Sequence, residues 1–508
     1  MRLLLLLLLP ACIVFNPQSN RIESSFFERA WAVDADVAAM IPTPAFQKRR
    51  GFTKHDELMA FLERAAAEHP ELVTLTSIGE SQRGRSIPMI RLAGADPKIR
   101  VYLQGGLHGN EPASTEGLLY LVHQLLLEPE LLDTVDVAIV PMANPDGYQR
   151  QVRGAANGLD LNRDQTKLEV HESRALKRAF HSVGPHVAVD FHEYRPYRRD
   201  FAWFGNQGIT NPYDVMFLYS GNLNVPAALR TLTAGTFVAA ARDRLEAEGV
   251  RTHDYITTRD VHDDIWFNRG SVQSRSSATH FALAHAVSIL VEVRGVALGR
   301  DNYAGRVMDT FAVAHEVLRT AAAEHEQVHR VLADTVGLPA VVAATQQPTV
   351  EKGAIDVIDL ATRELLELDV TFRNNLKSKP TLQRARPAAY AVMPEAVAAL
   401  GEKLELLGLE PERLESAVAV PVERYLVEHV HREPFRYEGA VRQHATVEIE
   451  ATEATLPAGT VIVRLDRAGA NIALEVFEPE SPNSFVSFGV LRAKPGEALP
   501  VVRLMSLP

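Results

Sequence analysis

The chain has 508 residues, 46% of them hydrophobic and 23% charged, which is ample apolar material for packed cores and excludes a disordered or fibrous protein. With 53 lysines and arginines against 64 aspartates and glutamates the net charge is −11, and no long basic tract stands out, so nucleic-acid binding is a poor fit. The single cysteine, Cys12, excludes an intramolecular disulfide and a thiolate zinc site, so any metal must be held by His, Asp or Glu.

In chain order, a short basic start, Met1-Arg2, precedes an apolar run through Phe15 that is too short to span a bilayer. Residues 1–32 read as an export signal and processing region, which predicts an extracytoplasmic protein, secreted or periplasmic. Leu9-Pro10-Ala11-Cys12 resembles a bacterial lipoprotein cleavage box that would put a lipid anchor on Cys12, whereas Ala30-Trp31-Ala32 offers a rival cleavage site for a soluble product. No later run is long enough for a membrane helix.

The spacing of Leu58, Phe61, Leu62 and Ala65 predicts a helix over 53–69 with Thr53 as its N-cap. Strand-like runs follow at 99–104, 135–140, 187–191 and 287–293, and helical patterns at 113–127, 172–182 and 235–248 lie between them. This alternation predicts an α/β unit over 47–334, with a mixed, mostly parallel sheet and helices on both faces. One long helix is expected from about 305 to 334, ended by Gly337-Leu338-Pro339. The texture then changes to short strands, among them 461–465 and 472–477, around a helical stretch at 394–407, which predicts a β-rich C-terminal domain over 338–508. That domain would brace the active-site rim or bind a surface.

In open α/β sheets, ligands bind beyond the carboxyl ends of the strands. After the first clear strand comes Gly105-Gly106-Leu107-His108-Gly109-Asn110-Glu111-Pro112, with a histidine and a glutamate three apart at a strand-to-helix turn. The pair suits Zn²⁺, and a loop histidine with a capping glutamate explains it as well. A later strand runs into His192, which would complete a site of two histidines and one glutamate with an open fourth position. Another apolar strand delivers Glu292, either a working carboxylate or a buried partner of Arg294. Between them lie Asn144-Pro145-Asp146-Gly147, Arg153 and Asp160-Leu161-Asn162-Arg163, whose arginines could bind a carboxylate or stabilise an oxyanion.

Together with Ile78-Gly79-Glu80-Ser81 and Gly84-Arg85-Ser86-Ile87, these motifs resemble the zinc carboxypeptidases of the carboxypeptidase A type over roughly residues 50 to 330, in the form with a C-terminal extension found in larger bacterial members. The resemblance implies one Zn²⁺ per chain, held by His108, Glu111 and His192, and Glu292 as the general base. It also implies that Arg153 polarises the scissile carbonyl, that Asn162 and Arg163 hold the free C-terminal carboxylate of a peptide substrate, and that Tyr194 adds a substrate contact. Two departures stand out: Asn110 occupies a position where digestive members carry arginine, and 270–277 is serine-rich where a mobile substrate-binding tyrosine is expected. Arg275 in that stretch reads as a solvated loop arginine, the alternative being a partner for an acidic terminal side chain.

His325-Glu326-Gln327-Val328-His329 matches the HExxH pattern of other metallopeptidases. Here it sits beside the apolar stripe of the long helix, with Glu326 facing away and no obvious third ligand. The expectation is therefore an exported zinc metallocarboxypeptidase. The rivals are an amidase or deacylase on the same scaffold, acting on cell-wall peptides or N-acyl amino acids, and a non-catalytic binding protein.

Overall fold

The computed structural model describes residues 41–198, 200–204, 208–261 and 265–507. The expected export segment, with Cys12, lies outside the described residues. The chain enters helix α1 (His55–Glu68) and then strands β1 (Val73–Glu80), β2 (Ser86–Leu92) and β3 (Ile99–Gly105). Helix α1 starts later than its apolar spacing predicted. Lys54 is its N-cap and Glu57 accepts the Lys54 backbone N–H at 2.7 Å, whereas the Thr53 hydroxyl donates to buried Glu116 at 2.5 Å.

Helix α2 (Pro112–Leu127), β4 (Val135–Val140), α3 (His171–Val183) and β5 (Val187–Tyr194) continue the alternation. The short strands β6 (Ile209–Thr210), β7 (Val215–Leu218), β8 (Thr252–Asp254), β9 (Ile256–Val261) and β10 (Ile265–Arg269) precede helix α4 (Ser277–Leu283) and strand β11 (Val287–Arg294). Eight strands form the main sheet in the order β1-β2-β4-β3-β5-β11-β7-β8. Its centre, β4-β3-β5-β11, is parallel, while β1-β2, β2-β4 and β11-β7 are antiparallel. Period-two alternation serves both faces of this sheet. Val101 and Leu103 of β3 pack on the α2 side with Leu118 and Val122, while Tyr102 faces the other way, with Phe180 and Phe281 at ring-centre distances of 5.6 and 6.0 Å.

The expected long helix is two helices, α5 (Tyr303–Ala323) and α6 (His325–Asp334). Glu324 between them leaves helical geometry at φ −107°, ψ 15°, and its N–H closes α5 on Thr320. Past Pro339 come two long strands, β12 (Val341–Asp359) and β13 (Leu365–Ala385). They join β6, β9 and β10 in a five-stranded sheet, β6-β12-β13-β10-β9, so the chain after the Gly-Leu-Pro segment pairs directly with strands from before it.

The remainder comprises β14 (Ala389–Val392), α7 (Pro394–Leu406), β15 (Glu412–Arg413), β16 (Val418–Tyr437), β17 (Ala440–Leu456), β18 (Val461–Arg464), α8 (Ile472–Val476) and β19 (Ala498–Leu504). Its six strands form an antiparallel sheet, β15-β18-β14-β19-β16-β17. The expected strand at 472–477 is instead the short helix α8. All of its residues, Glu475 included, are buried, and a short run buried throughout has no periodicity with which to tell helix from strand.

Candidate active site

The parallel strands β3, β5 and β11 end at one edge of the main sheet, and the chemistry collects there. After β3 the backbone turns at Gly106 (φ +63°), where a side chain would press on Thr115 at 2.8 Å and on the Met142 backbone at 3.2 Å. The Asn144-Pro145-Asp146-Gly147 turn buttresses the next residues. Asn144 accepts the Gly147 N–H at 2.9 Å and donates from its amide to the carbonyls of Leu107 and Arg153. Gly109 lies so close to Gly147 that a Cβ would sit 1.9 Å from backbone carbon. This packing holds His108 and Glu111 toward the sheet edge.

His108, Glu111 and His192 converge, with one ligand atom from each lying within 4.8 Å of the others. Glu111 Oε1 is 2.8 Å from His108 Nδ1, Glu111 Oε2 is 2.8 Å from His192 Nδ1, and the two Nδ1 atoms are 3.0 Å apart. All three side chains are buried. The remote nitrogens donate to carboxylates, His108 Nε2 to Asp160 at 3.0 Å and His192 Nε2 to Asp190 at 2.8 Å. With their N–H groups directed at the aspartates, both imidazoles turn lone pairs inward, beside a carboxylate. Two N–H groups would repel across a 3.0 Å contact, whereas one cation would take both lone pairs and a carboxylate oxygen. The residues therefore fit a metal ion, and the donor set of two imidazoles and one carboxylate, each imidazole backed by a carboxylate, is that of catalytic zinc.

Electrostatics agree. Burial would raise the Glu111 carboxyl, but His108 and His192 beside it hold it well below the carboxylate range. Burial would likewise raise Asp160, and His108, Arg153 and Arg163 overcome it. Burial would lower the His192 pKa, yet Asp190 and Glu111 hold it well above the ordinary imidazole value, so these carboxylates favour positive charge at this point, which a bound cation would supply in place of the proton on Nδ1.

Glu292 of β11 is paired in register with His192 of β5, and neighbours in register project from the same face of a sheet. Glu292, Arg153, Asn162, Arg163 and Tyr194 all line one cavity of about 630 Å³ together with His108 and Glu111. Burial pushes the Glu292 carboxyl up to about 7; nearby His192 works against that rise and Glu111 adds to it. Arg153 donates from Nε to Asp160 at 2.9 Å and lies 3.5 Å from Glu111 through Nη1. Asn162 accepts the Ser277 N–H at 2.8 Å through Oδ1, which leaves its amide nitrogen for the cavity. Arg163 donates to the Asn162 carbonyl at 2.8 Å. Tyr194 offers the cavity its ring, because its hydroxyl donates to the carbonyl of Tyr213.

Several working residues escaped sequence reasoning. Asp160 and Asp190 stand inside recognisable motifs, yet only the fold reveals them as partners of His108 and His192. Glu193 is fully buried, accepts the Ala113 N–H at 2.9 Å and pairs with Arg306 at 2.5 Å, bracing the start of α2. Ser277 ties Asp190 to Asn162. The C-terminal region supplies part of the wall through Gln346, Pro348 and Asn375. Glu438, at the tip of the β16–β17 hairpin, accepts the Asp160 backbone N–H at 2.9 Å. No spacing in the sequence joins residues 278 positions apart.

His325 and His329 do not gather a site. His325 Nδ1 lies 3.0 Å from the Ala322 carbonyl, His329 Nε2 lies 2.8 Å from the Lys98 carbonyl, and Glu326 is exposed.

An α/β fold with a buried His-Glu-His cluster, a cavity-facing carboxylate and adjacent arginines at its strand ends brings together the groups that a metallohydrolase centre requires. The zinc carboxypeptidase family model matches residues 58–186, which include His108, Glu111, Arg153, Asn162 and Arg163 and stop short of His192 and Glu292. Carboxypeptidase 2 of Trichophyton rubrum is 27% identical over 472 residues, covering 89% of this chain and 87% of the relative. Carboxypeptidase 2 of Trichophyton equinum is 27% identical over 519 residues, with 96% and 95% covered. Among solved structures, carboxypeptidase A of Helicoverpa armigera aligns with a TM-score of 0.41 at 20% identity, over 57% of this chain and 81% of that one. Residues 58–186 thus match the zinc carboxypeptidase family, and along most of its length the chain is similar to carboxypeptidases. No helix among the described residues is long and apolar enough to cross a membrane.

Proposed function

We propose that the protein is an exported zinc metallocarboxypeptidase that removes the last residue of peptides with a free C-terminal carboxylate. The observation that carries this reading is one cavity lined by His108 and Glu111 of the metal cluster, by Glu292 and by Arg153, Asn162 and Arg163. When bound by His108, Glu111 and His192, zinc supplies Lewis acidity for a water and for the scissile carbonyl.

The remaining work belongs to the chain's own groups. Glu292 Oε accepts the proton of the attacking water and returns it to the departing amine. Burial raises the Glu292 carboxyl above the ordinary carboxylate value, toward the range in which one group can both take up and return a proton. Arg153, anchored by Asp160, donates to the carbonyl oxygen as negative charge develops on it. Arg163 presents a fork to the terminal carboxylate, and the Asn162 amide adds a donor, so a chain end is required. Export rests on the N-terminal segment and takes one of two forms: loss of the residues before about 33, or a lipid on Cys12 as the first mature residue. Intact mass of protein from the native host's envelope or medium distinguishes them, and unprocessed Met1 in the cytoplasm contradicts both.

The direct test incubates the zinc-loaded protein with a mixed peptide library and reads the products by mass spectrometry. Stepwise loss of single C-terminal residues is expected. The same peptides with amidated ends should be spared, and equal cleavage of both would point to the amidase reading instead.

A further inference from the structure

The arginines of the cavity differ in what balances them. Arg153 is paired with Asp160, and Arg198 with Asp200 at 3.0 Å. Glu193, the carboxylate beside Tyr194, is already neutralised by Arg306. Arg163 and Arg275 have no carboxylate at ion-pair distance among the described residues. Arg163 donates to a backbone carbonyl. Arg275 is not the solvated loop residue that its serine-rich surroundings predicted. Its Nη1 donates to Gln273 and, at 2.9 Å, to Asn483, its guanidinium lies 5.5 Å from the centre of the Tyr437 ring, and its Nε is buried without an acceptor. Each of these partners is neutral. Burial, with Arg163 and Arg442 near it, pushes its pKa below the ordinary value.

The two loops that carry these guanidiniums are fastened together. The Arg275 carbonyl accepts the Gln165 N–H at 3.3 Å, and the Ser277 N–H donates to Asn162 at 2.8 Å. Two fixed like charges, partly removed from water and with no carboxylate in direct contact, are costly to maintain. A ligand bearing two carboxylates relieves both, and the planar fork of arginine matches a carboxylate geometrically.

We propose that the cavity selects peptides whose C-terminal residue is itself acidic, glutamate or aspartate, with Arg163 on the terminal carboxylate and Arg275 on the side-chain carboxylate. This rests on the carboxypeptidase reading for the role of Arg163. The glutamates that share the cavity do not oppose it: Glu111 is held by the two histidines, Glu193 by Arg306, and Glu292 faces the reacting bond.

The test uses N-blocked peptides that differ only in a terminal Glu, Gln, Leu or Lys, with the wild type and the variants Arg275→Gln and Arg275→Glu. Binding of free L-glutamate and L-glutamine to the same proteins is followed by calorimetry. The wild type should favour Glu over its isostere Gln in kcat/KM by about tenfold or more, since one charge-assisted pair separates them. Arg275→Gln should collapse that ratio toward one, and Arg275→Glu should invert the ratio of Glu to Lys. Glutamate should bind the wild type more tightly than glutamine does, and lose that advantage in both variants.

A wild type that prefers Gln, Leu or Lys overturns the proposal. So does an Arg275→Gln enzyme whose losses on Glu and Leu peptides are equal, because Arg275 would then serve the terminal carboxylate common to both. If a variant fails to fold by circular dichroism, the wild-type Glu to Gln ratio and the two binding constants still decide. Arg275-dependent glutamate binding in a protein that cleaves no free-acid peptide would sink the carboxypeptidase reading and leave this selectivity standing.

Discussion

The cluster of His108, Glu111 and His192 and the helix α6 with His325, Glu326 and His329 contain the same residue types in the same numbers. On α6 the two histidines are four apart and share a face, so proximity is not what that motif lacks. Its imidazoles are spent on the backbone carbonyls of Ala322 and Lys98, and its glutamate points into solvent. At the sheet edge each imidazole has an aspartate behind it and a shared glutamate in front. A backbone carbonyl can fix a tautomer, but an aspartate also raises the basicity of the inward nitrogen and adds negative charge for a cation. A metal site is thus distinguished by what stands behind its ligands, and by strands and loops that bring them from distant positions.

The largest expected effect contrasts the two regions directly. His192→Ala removes one of three ligands and should abolish stoichiometric zinc, and with it turnover, whereas the double variant His325→Ala, His329→Ala should keep one zinc per chain. Metal analysis of dialysed protein checks both, and zinc loss in the double variant would break the comparison.

Next in size is Glu292→Gln. It should retain zinc and bind peptide while losing about 10²- to 10⁴-fold in kcat, because glutamine keeps the shape but cannot accept a proton. The pH profile sharpens the assignment. A base works only when deprotonated, so kcat/KM should fall as pH drops through the Glu292 pKa. That carboxyl lies at about 7 without metal, and a nearby dication favours its charged form. The acidic limb of the zinc enzyme should therefore lie below pH 7 and be absent from the residual activity of Glu292→Gln.

A smaller effect tests the carboxylates behind the histidines. Asp190→Asn leaves an acceptor for His192 but removes its charge, and should weaken zinc binding about 10- to 100-fold, as measured by competition with a chelating dye. An unchanged affinity would mean that the tautomer alone matters, and the contrast with α6 would then reduce to geometry.

How far the sequence reveals this arrangement follows from the range of each interaction. The strands before His108, His192 and Glu292 are β-branched and buried, so their runs are visible, and the rule that α/β sheets work at their carboxyl edges places the three residues together. Thr53 misled as an N-cap because a buried glutamate competes for its hydroxyl. Ile472 to Val476 misled because burial on all sides erases periodicity. The serine-rich pattern around Arg275 predicts a surface residue, because the Asn483 and Tyr437 that cover it come from the other end of the chain. Local pattern carries the elements and their order, while the roles of Asp160, Asp190, Ser277 and Glu438 depend on contacts between segments far apart in sequence.

The smallest expected effect concerns the last of these residues. Glu438 touches neither the ligand histidines nor the reacting groups named above, yet its carboxylate accepts the Asp160 N–H, and Asp160 in turn positions both His108 and Arg153. Glu438→Ala removes one charge-assisted hydrogen bond at a half-buried hairpin tip and frees the Asp160 loop to shift slightly. The loss in kcat/KM should be a few-fold, well below the roughly 10²-fold that a displacement of reacting groups by 1 Å costs. Because Asp160 serves a ligand and an arginine together, zinc affinity and kcat should decline in step, and Glu438→Gln, which keeps an acceptor oxygen, should restore most of both. If zinc affinity fell with kcat intact, the hairpin would be bracing only the metal side. If neither moved, the C-terminal region would wall the cavity without supporting its chemistry.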